Sequence, residues 1–218
     1  MPPRKTTKQA ARKRVAVPDE ASAPVDGPGR TGEATRARLL EAGMTVLAAR
    51  GYHAARVDDV VKAAGVSHGT FYLYFPNKEA LVLALAERCA HDLGALVGRL
   101  GDIPADASGR TAVREWLTGF VAIYRSYGVV IRSWVENQVG NPELTQLGLD
   151  TFADVAAQLA GRMERSHPDD AALRVTALVS LMERFTFLVT TRDLGDEGRV
   201  LDTAATVIHQ GFFAGTPA

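Results

Sequence analysis

Apolar residues recur along this chain at intervals of three and four, with no stretch that alternates as a strand would, so the pattern predicts an all-α protein. A first helix is expected from Thr31, a capping residue, with Leu39, Leu40, Gly43, Val46 and Leu47 as its inner stripe and Gly51 as its end. A long helix runs from Lys78 to about Leu100, with Leu81, Leu85, Cys89, Leu93 and Leu96 along one side, and a loop containing Pro104 follows. Separate helices are expected over Thr111 to Tyr127 and Val129 to Val139, then one from Glu143 to Arg165 after the Asn141-Pro142 break. The last two, Asp169 to Arg192 and Gly198 to Phe213, read as an antiparallel hairpin about the turn Gly195 to Gly198.

Between the first helix and the long one lies VDDVVKAAGVSHGTFYLYFPNK, Val57 to Lys78. Val57, Val60, Val61 and Ala64 give a short helix one apolar face, and Gly65 stands where positive φ is needed. Ser67 can cap a second short helix, with Phe71 and Phe75 inward and His68, Gly69, Thr70, Tyr72 and Tyr74 outward. Pro76 stops it and Asn77 caps the next. Two short helices about a tight glycine turn, the second bearing small polar and aromatic groups, form a helix-turn-helix. The second helix enters a major groove by its N-terminal end, so side chains there must be short, with phosphate-reaching groups at the flanks. Gly69 lets the backbone come close, His68 is the candidate for a base edge, and Thr70 offers a hydroxyl and a methyl. Tyr72, Tyr74 and Lys78 can reach phosphates.

These residues carry a resemblance. Gly51-Tyr52, Val57 to Val61, Ala64-Gly65-Val66-Ser67, Gly69-Thr70-Phe71-Tyr72, Tyr74-Phe75 and Lys78-Glu79 resemble, in order, the N-terminal signature of the TetR family of transcriptional regulators, over about Thr31 to Leu85. The resemblance implies DNA contacts at Thr70, Tyr72, Tyr74 and Lys78, to which the residues' own chemistry adds Arg56, Ser67, His68 and Gly69. One position departs: the family places Ser or Thr as cap of the first short helix, where this chain has Ala55-Arg56. Arg56 exchanges capping for reach to phosphate or minor groove.

Charge sharpens this picture only through its distribution. The 25 basic and 25 acidic residues cancel. Residues 1–14 hold six basic groups and no acid, whereas Leu81 onward holds 12 basic against 17 acidic residues, and no lysine follows Lys78. Positive charge gathers at the end expected to meet DNA. Residues 1–30, basic, with prolines and few large apolar groups, are expected as a disordered arm that lies on phosphates or serves only as a solvated tail. Residues 31–80 form the expected three-helix DNA-binding domain, and 81–218 a larger helical domain for ligand binding and dimerisation. One cysteine, Cys89, excludes an intrachain disulfide; with neither a signal peptide nor a membrane span, the expected place is the cytoplasm.

In the second domain, Trp116, Phe120 and Tyr124 share one stripe and, with Trp134, Phe152 and Phe185, can enclose an apolar cavity. Asn137, Gln138 and Glu183 are its candidate polar groups, Glu183 having an arginine partner as its alternative. The final hairpin exposes more apolar face than one small core covers, so a homodimer is expected through Ala177, Leu181, Arg184, Val207 and Ile208. No phosphate loop, HExxH, GxSxG or paired-cysteine motif occurs, and no histidine spacing suits a metal, so neither an enzyme nor a cofactor or metal site is expected. What remains is a homodimeric regulator, a repressor by family habit, that binds an inverted-repeat operator and is released by a small apolar or amphipathic effector. The alternative is a DNA-binding dimer without such an effector.

Overall fold

The structure is a computed structural model that describes residues 28–136, 141–164, 167 and 169–214. Eight α-helices and a terminal π-helical turn make up the described residues, which include no strand. The first, α1 (Pro28–Ala54), buries Leu39, Leu40, Val46 and Leu47 and is interrupted at Gly51, whose φ of 73° few other residues could adopt. It starts earlier than expected. Thr31 lies inside it and accepts, through its carbonyl, a hydrogen bond from Thr35, so it is not the cap.

Next come α2 (Val57–Ala64) and α3 (His68–Tyr74), joined by Gly65 in the left-handed region at φ 64°, ψ 39°. The N–H groups of Gly65 and Val66 donate back to the carbonyls of Lys62 and Val61, closing α2. Ser67 caps α3 by accepting from the Thr70 N–H at 3.1 Å, and Asn77 caps α4 (Lys78–Arg99) by accepting from Ala80 at 2.8 Å. Phe71 and Phe75 are buried beneath the pair, against the core that α1 and α4 supply. Where α1 crosses α4, a Cβ on Gly43 would come 2.8 Å from a terminal methyl of Leu81, so any larger residue there requires that leucine to shift.

The helices expected over Thr111 to Tyr127 and Val129 to Val139 are one run, α5 (Ala107–Glu136), bent at Tyr127 (φ −119°, ψ 15°). The Tyr127 hydroxyl donates to Asp92 of α4 at 3.0 Å, fixing the bend against the long helix. Asn141 caps α6 (Pro142–Met163) through two N–H groups, with Pro142 in the first turn, where its missing donor costs nothing. α7 (Ala171–Thr191) and α8 (Glu197–Ile208) follow, then the π-helical turn His209–Phe213.

α5 is the hub: it packs against α1, α4, α6, α7 and α8. One continuous hydrophobic cluster therefore extends from Leu39 in α1 to Phe213 at the end of the described chain. α7 and α8 do not form the close hairpin expected of them. α8 packs chiefly on α5, tied there by a bidentate Arg125–Glu197 pair at 2.6 and 3.1 Å and by Arg114–Asp202 at 2.7 Å. Between α7 and α8 an open groove of about 890 Å³ remains. No helix among the described residues is long and apolar enough to cross a membrane.

Candidate functional site

The outer surface of α2 and α3 carries the first group of candidate residues. Arg56 is exposed and precedes α2 with extended backbone. Its side chain has no acceptor to offer α2, but half of a capping box survives: the Asp59 carboxylate accepts from the Arg56 N–H at 3.2 Å, and Arg50 pairs with that carboxylate at 3.3 Å. The missing Ser or Thr is thus compensated from within the helix. Ser67 and Thr70 hold each other, with 3.0 Å between their hydroxyl oxygens in addition to the cap. At Gly69 an added Cβ would meet Ser67 Oγ at 3.7 Å, an ordinary contact, so nothing inside the protein requires glycine there.

His68 does not stand alone. Its Nε2 lies 2.7 Å from Oδ1 of Asp58, one helix away, and both side chains are more than half exposed. Tyr72 is exposed, while Tyr74 is half-buried, its hydroxyl turned towards Gly32 at the start of α1. Lys78 is more engaged than the sequence implies. Its ammonium donates to the carbonyls of Tyr52 (2.8 Å) and Ala55 (3.2 Å) and sits 4.3 Å from the centroid of the Tyr52 ring. An ammonium has three donors, so one remains for an outside acceptor. The Tyr52 phenol in turn donates to Glu79 at 3.2 Å, and burial together with the Glu79 charge pushes its pKa up to about 12.

Two residues of this surface escaped the sequence reading. Asp58 did so because its partner is ten positions away. Leu73 did so because the tyrosines on either side carry the polar chemistry; it is 84% exposed, the barest large apolar side chain on α3. Its position between Phe71 and Phe75, both core, was signal enough: a residue two from each faces out of a helix.

The second group lies among α4, α5, α6 and α7. Trp116, Phe120, Tyr124 and Phe152 converge there with Leu93, Ile131 and Leu178 around a nearly closed cavity of about 30 Å³. That is the room of roughly one water molecule. Glu183 of α7 also lines it. The expected arginine partner of Glu183 is not found among the described residues, where its carboxylate has neither ion pair nor hydrogen bond, and neighbouring Arg184 turns its guanidinium over the Phe187 ring, 5.2 Å away. Two expected members are placed elsewhere. Trp134 stands behind Phe152, edge-on at 5.9 Å, and rests on Gly148. Phe185 lines the groove between α7 and α8, because the helix turns Leu178, Met182 and Thr186 inward instead. Asn137 and Gln138 lie outside the described residues, as does nearly all of the expected basic arm.

The groove between α7 and α8 holds most of the third group. Leu181, Arg184 and Val207 line it, Leu181 and Val207 being 41% and 56% exposed, and Leu194 adds to its apolar wall. Ala177 is exposed on α7 outside the groove lining. Ile208 requires correction: although it borders the groove, it is 1% exposed and belongs to this chain's own core.

Residues 39–85 match the family model described as bacterial regulatory proteins, tetR family. The HTH-type transcriptional regulator EthR of Mycobacterium tuberculosis is 30% identical over 156 residues, covering 67% of this chain and 72% of that protein. EthR of Mycolicibacterium smegmatis is 29% identical over 171 residues, 75% of this chain and 77% of its own. Among solved structures, a tetR-family regulatory protein from Rhodococcus superposes with a TM-score of 0.68 at 18% identity, covering 84% of this chain and 98% of that one. The FadR regulator of Bacillus subtilis, solved with stearoyl-CoA, gives a TM-score of 0.60 at 19% identity, over 83% and 99%. At such identities the structures speak for the fold, while the family model and the EthR relatives speak for descent. The chain belongs to the TetR family of DNA-binding transcriptional regulators.

Proposed function

We propose that this protein is a one-component repressor that binds an inverted-repeat operator as a homodimer and is released when a small apolar or amphipathic molecule enters the cavity among α4 to α7. In this reading residues 31–80 form the DNA-binding unit and 81–218 the ligand-binding and dimerisation unit. The observation that carries it is continuity: α4 begins at the Lys78 clamp beside α3 and lines the cavity through Leu93, so one continuous helix touches both sites. A ligand that displaces α4 then alters the separation of the two recognition helices in a dimer. The stearoyl-CoA held by the FadR structure supports an apolar effector class in this fold.

On the DNA side, α3 enters the major groove. His68 exchanges Asp58 for a base edge, and Leu73 offers apolar contact to a thymine methyl. Arg56, Ser67, Thr70, Tyr72, Tyr74 and the third donor of Lys78 hold phosphates. The exposed walls of the α7–α8 groove, Leu181 and Val207 foremost, with Ala177 and Arg184, meet their counterparts in the partner subunit.

Selection of bound duplexes from a random pool tests the DNA half: an inverted repeat is expected, and bound sites without dyad symmetry overturn the dimeric reading. Operator affinity with and without a ligand found by thermal shift tests the other half. The tightness of the cavity favours a second reading, a DNA-binding dimer with no small effector. Unchanged affinity at saturating ligand would select it.

A further inference from the structure

His68 stands at the start of α3 already engaged, and its partner decides what it can read. Its Nε2 lies 2.7 Å from Oδ1 of Asp58, and both side chains are exposed. The contact joins the first turn of α2 to the first turn of α3 across the Gly65 corner. An ionised carboxylate has lone pairs and no proton to give, so Nε2 carries the proton. The ring atom that Asp58 holds is therefore a donor. Capping does not account for Asp58, because its neighbour serves the start of α2: Asp59 accepts from the Arg56 N–H at 3.2 Å and pairs with Arg50 at 3.3 Å. Lys62, one turn along the same helix, is the ordinary surface partner for Asp58, yet the carboxylate lies against His68. It leaves a negative charge on the face offered to DNA, where phosphates repel it.

We propose that Asp58 is a specificity-determining residue of the DNA-binding surface: it keeps His68 as an Nε2–H donor and yields it to a guanine edge. This deepens the reading above, since it rests on the entry of α3 into the major groove. Guanine presents two neighbouring acceptors, N7 and O6, with no amino group between them. Adenine sets an amino donor beside its N7, cytosine offers an amino donor, and thymine has a single acceptor beside a methyl. An amino group opposite Nε2–H sets donor against donor, so His68 stays with Asp58. The carboxylate then remains pressed towards phosphate charge with nothing gained in exchange. Asp58 thus penalises wrong sites more than the right one, which widens the ratio between them.

The test uses the full chain and duplexes selected from a random pool, followed by affinity measurements on every single-base variant of the selected site at one salt concentration. One position in each half-site is expected to favour guanine by about 10-fold, and His68→Ala should erase that preference and no other. Asparagine in place of Asp58 can donate as well as accept, so it no longer fixes the proton on Nε2. Asp58→Asn should therefore cut the guanine preference to about 2-fold or less and tighten binding to unrelated duplex several-fold, with other positions unchanged. With His68→Ala already present, Asp58→Asn should alter no base preference. Cooperative melting of each variant shows that it folds. An equal gain in affinity for every sequence, with the guanine preference intact, would reduce Asp58 to a repelling charge and overturn the proposal. Adenine or cytosine at the His68-dependent position would overturn it too, as would a cytosine preference that Asp58 sets without His68. If His68→Ala changes no base preference at all, the placement of α3 in the groove falls together with this inference.

Discussion

On the proposed function, Gly69 separates what the fold needs from what DNA needs. Glycine in a helix costs roughly 0.5–1 kcal/mol against alanine, and the protein has room for a Cβ there. Gly69→Ala is therefore expected to raise stability by about that much in denaturant titration while weakening operator binding, because the added methyl stands where the groove floor must approach. A variant that is stabilised and binds as before would show that α3 does not enter the groove at this point. Neighbouring chemistry gives a second expectation. Burial and Glu79 raise the Tyr52 phenol to about 12, above its unfolded value of about 10. The fold holds the proton more tightly than the unfolded chain does, so the contribution is whole below about pH 10 and drains away as pH climbs towards 12. Cys89, pushed up first by burial, and Tyr127, raised by burial and Asp92, act with the same sign. Alkaline melts should fall steeply there, and Tyr52→Phe should shallow the fall; an identical slope would assign it to the other two. At this scale the sequence was readable where a residue's role is local. Ser67 and Asn77 cap as their types suggest. The Asp58–His68 and Lys78–Tyr52 contacts were not, since each depends on how one helix is set against another.

Helices were legible through their caps and breakers, and least legible in how they roll. The apolar residues of α7 are numerous enough for two faces, so the pattern alone could not say that Leu178 and Met182 serve the cavity while Leu181 and Phe185 serve the groove. Nor could it foresee the collar at the end of α4. Arg162 of α6 donates to the carbonyls of Val97 (3.0 Å) and Leu100 (2.8 Å), and more weakly to Gly101 (3.3 Å), all at the C-terminal end of α4. A cation there satisfies orphan acceptors and complements the helix dipole. Arg162→Met should cost roughly 1–3 kcal/mol by leaving those carbonyls unpaired, with faster amide exchange confined to the last turn of α4. Loss of stability without local exchange would place the role of Arg162 elsewhere. The contact of α5 with α6 is equally exacting. A Cβ on Gly148 would fall 2.6 Å from Trp134 Cγ, so Gly148→Ala should destabilise by about 1–3 kcal/mol and shift the tryptophan emission.

At the scale of the whole molecule, the proposed dimer makes the α7–α8 groove the place where two recognition helices are coupled. Val207→Glu is the fitting probe, since Val207 is exposed in the single chain, whereas Ile208→Glu would unfold its core. The variant should remain folded by circular dichroism, give a monomeric mass by light scattering, and lose most operator affinity; a dimeric mass would move the interface away from this groove. One further feature makes such states separable in a single tube. Cys89 is the chain's sole cysteine, fully buried midway along the helix that joins both halves. The molecule thus carries a built-in clock. A disulfide reagent can reach that sulfur only during openings of the α4 core, so the speed of its colour change counts how often that core opens. On the proposed function, ligand, operator and dimer partner should each lengthen the tick by as much as they hold α4 closed.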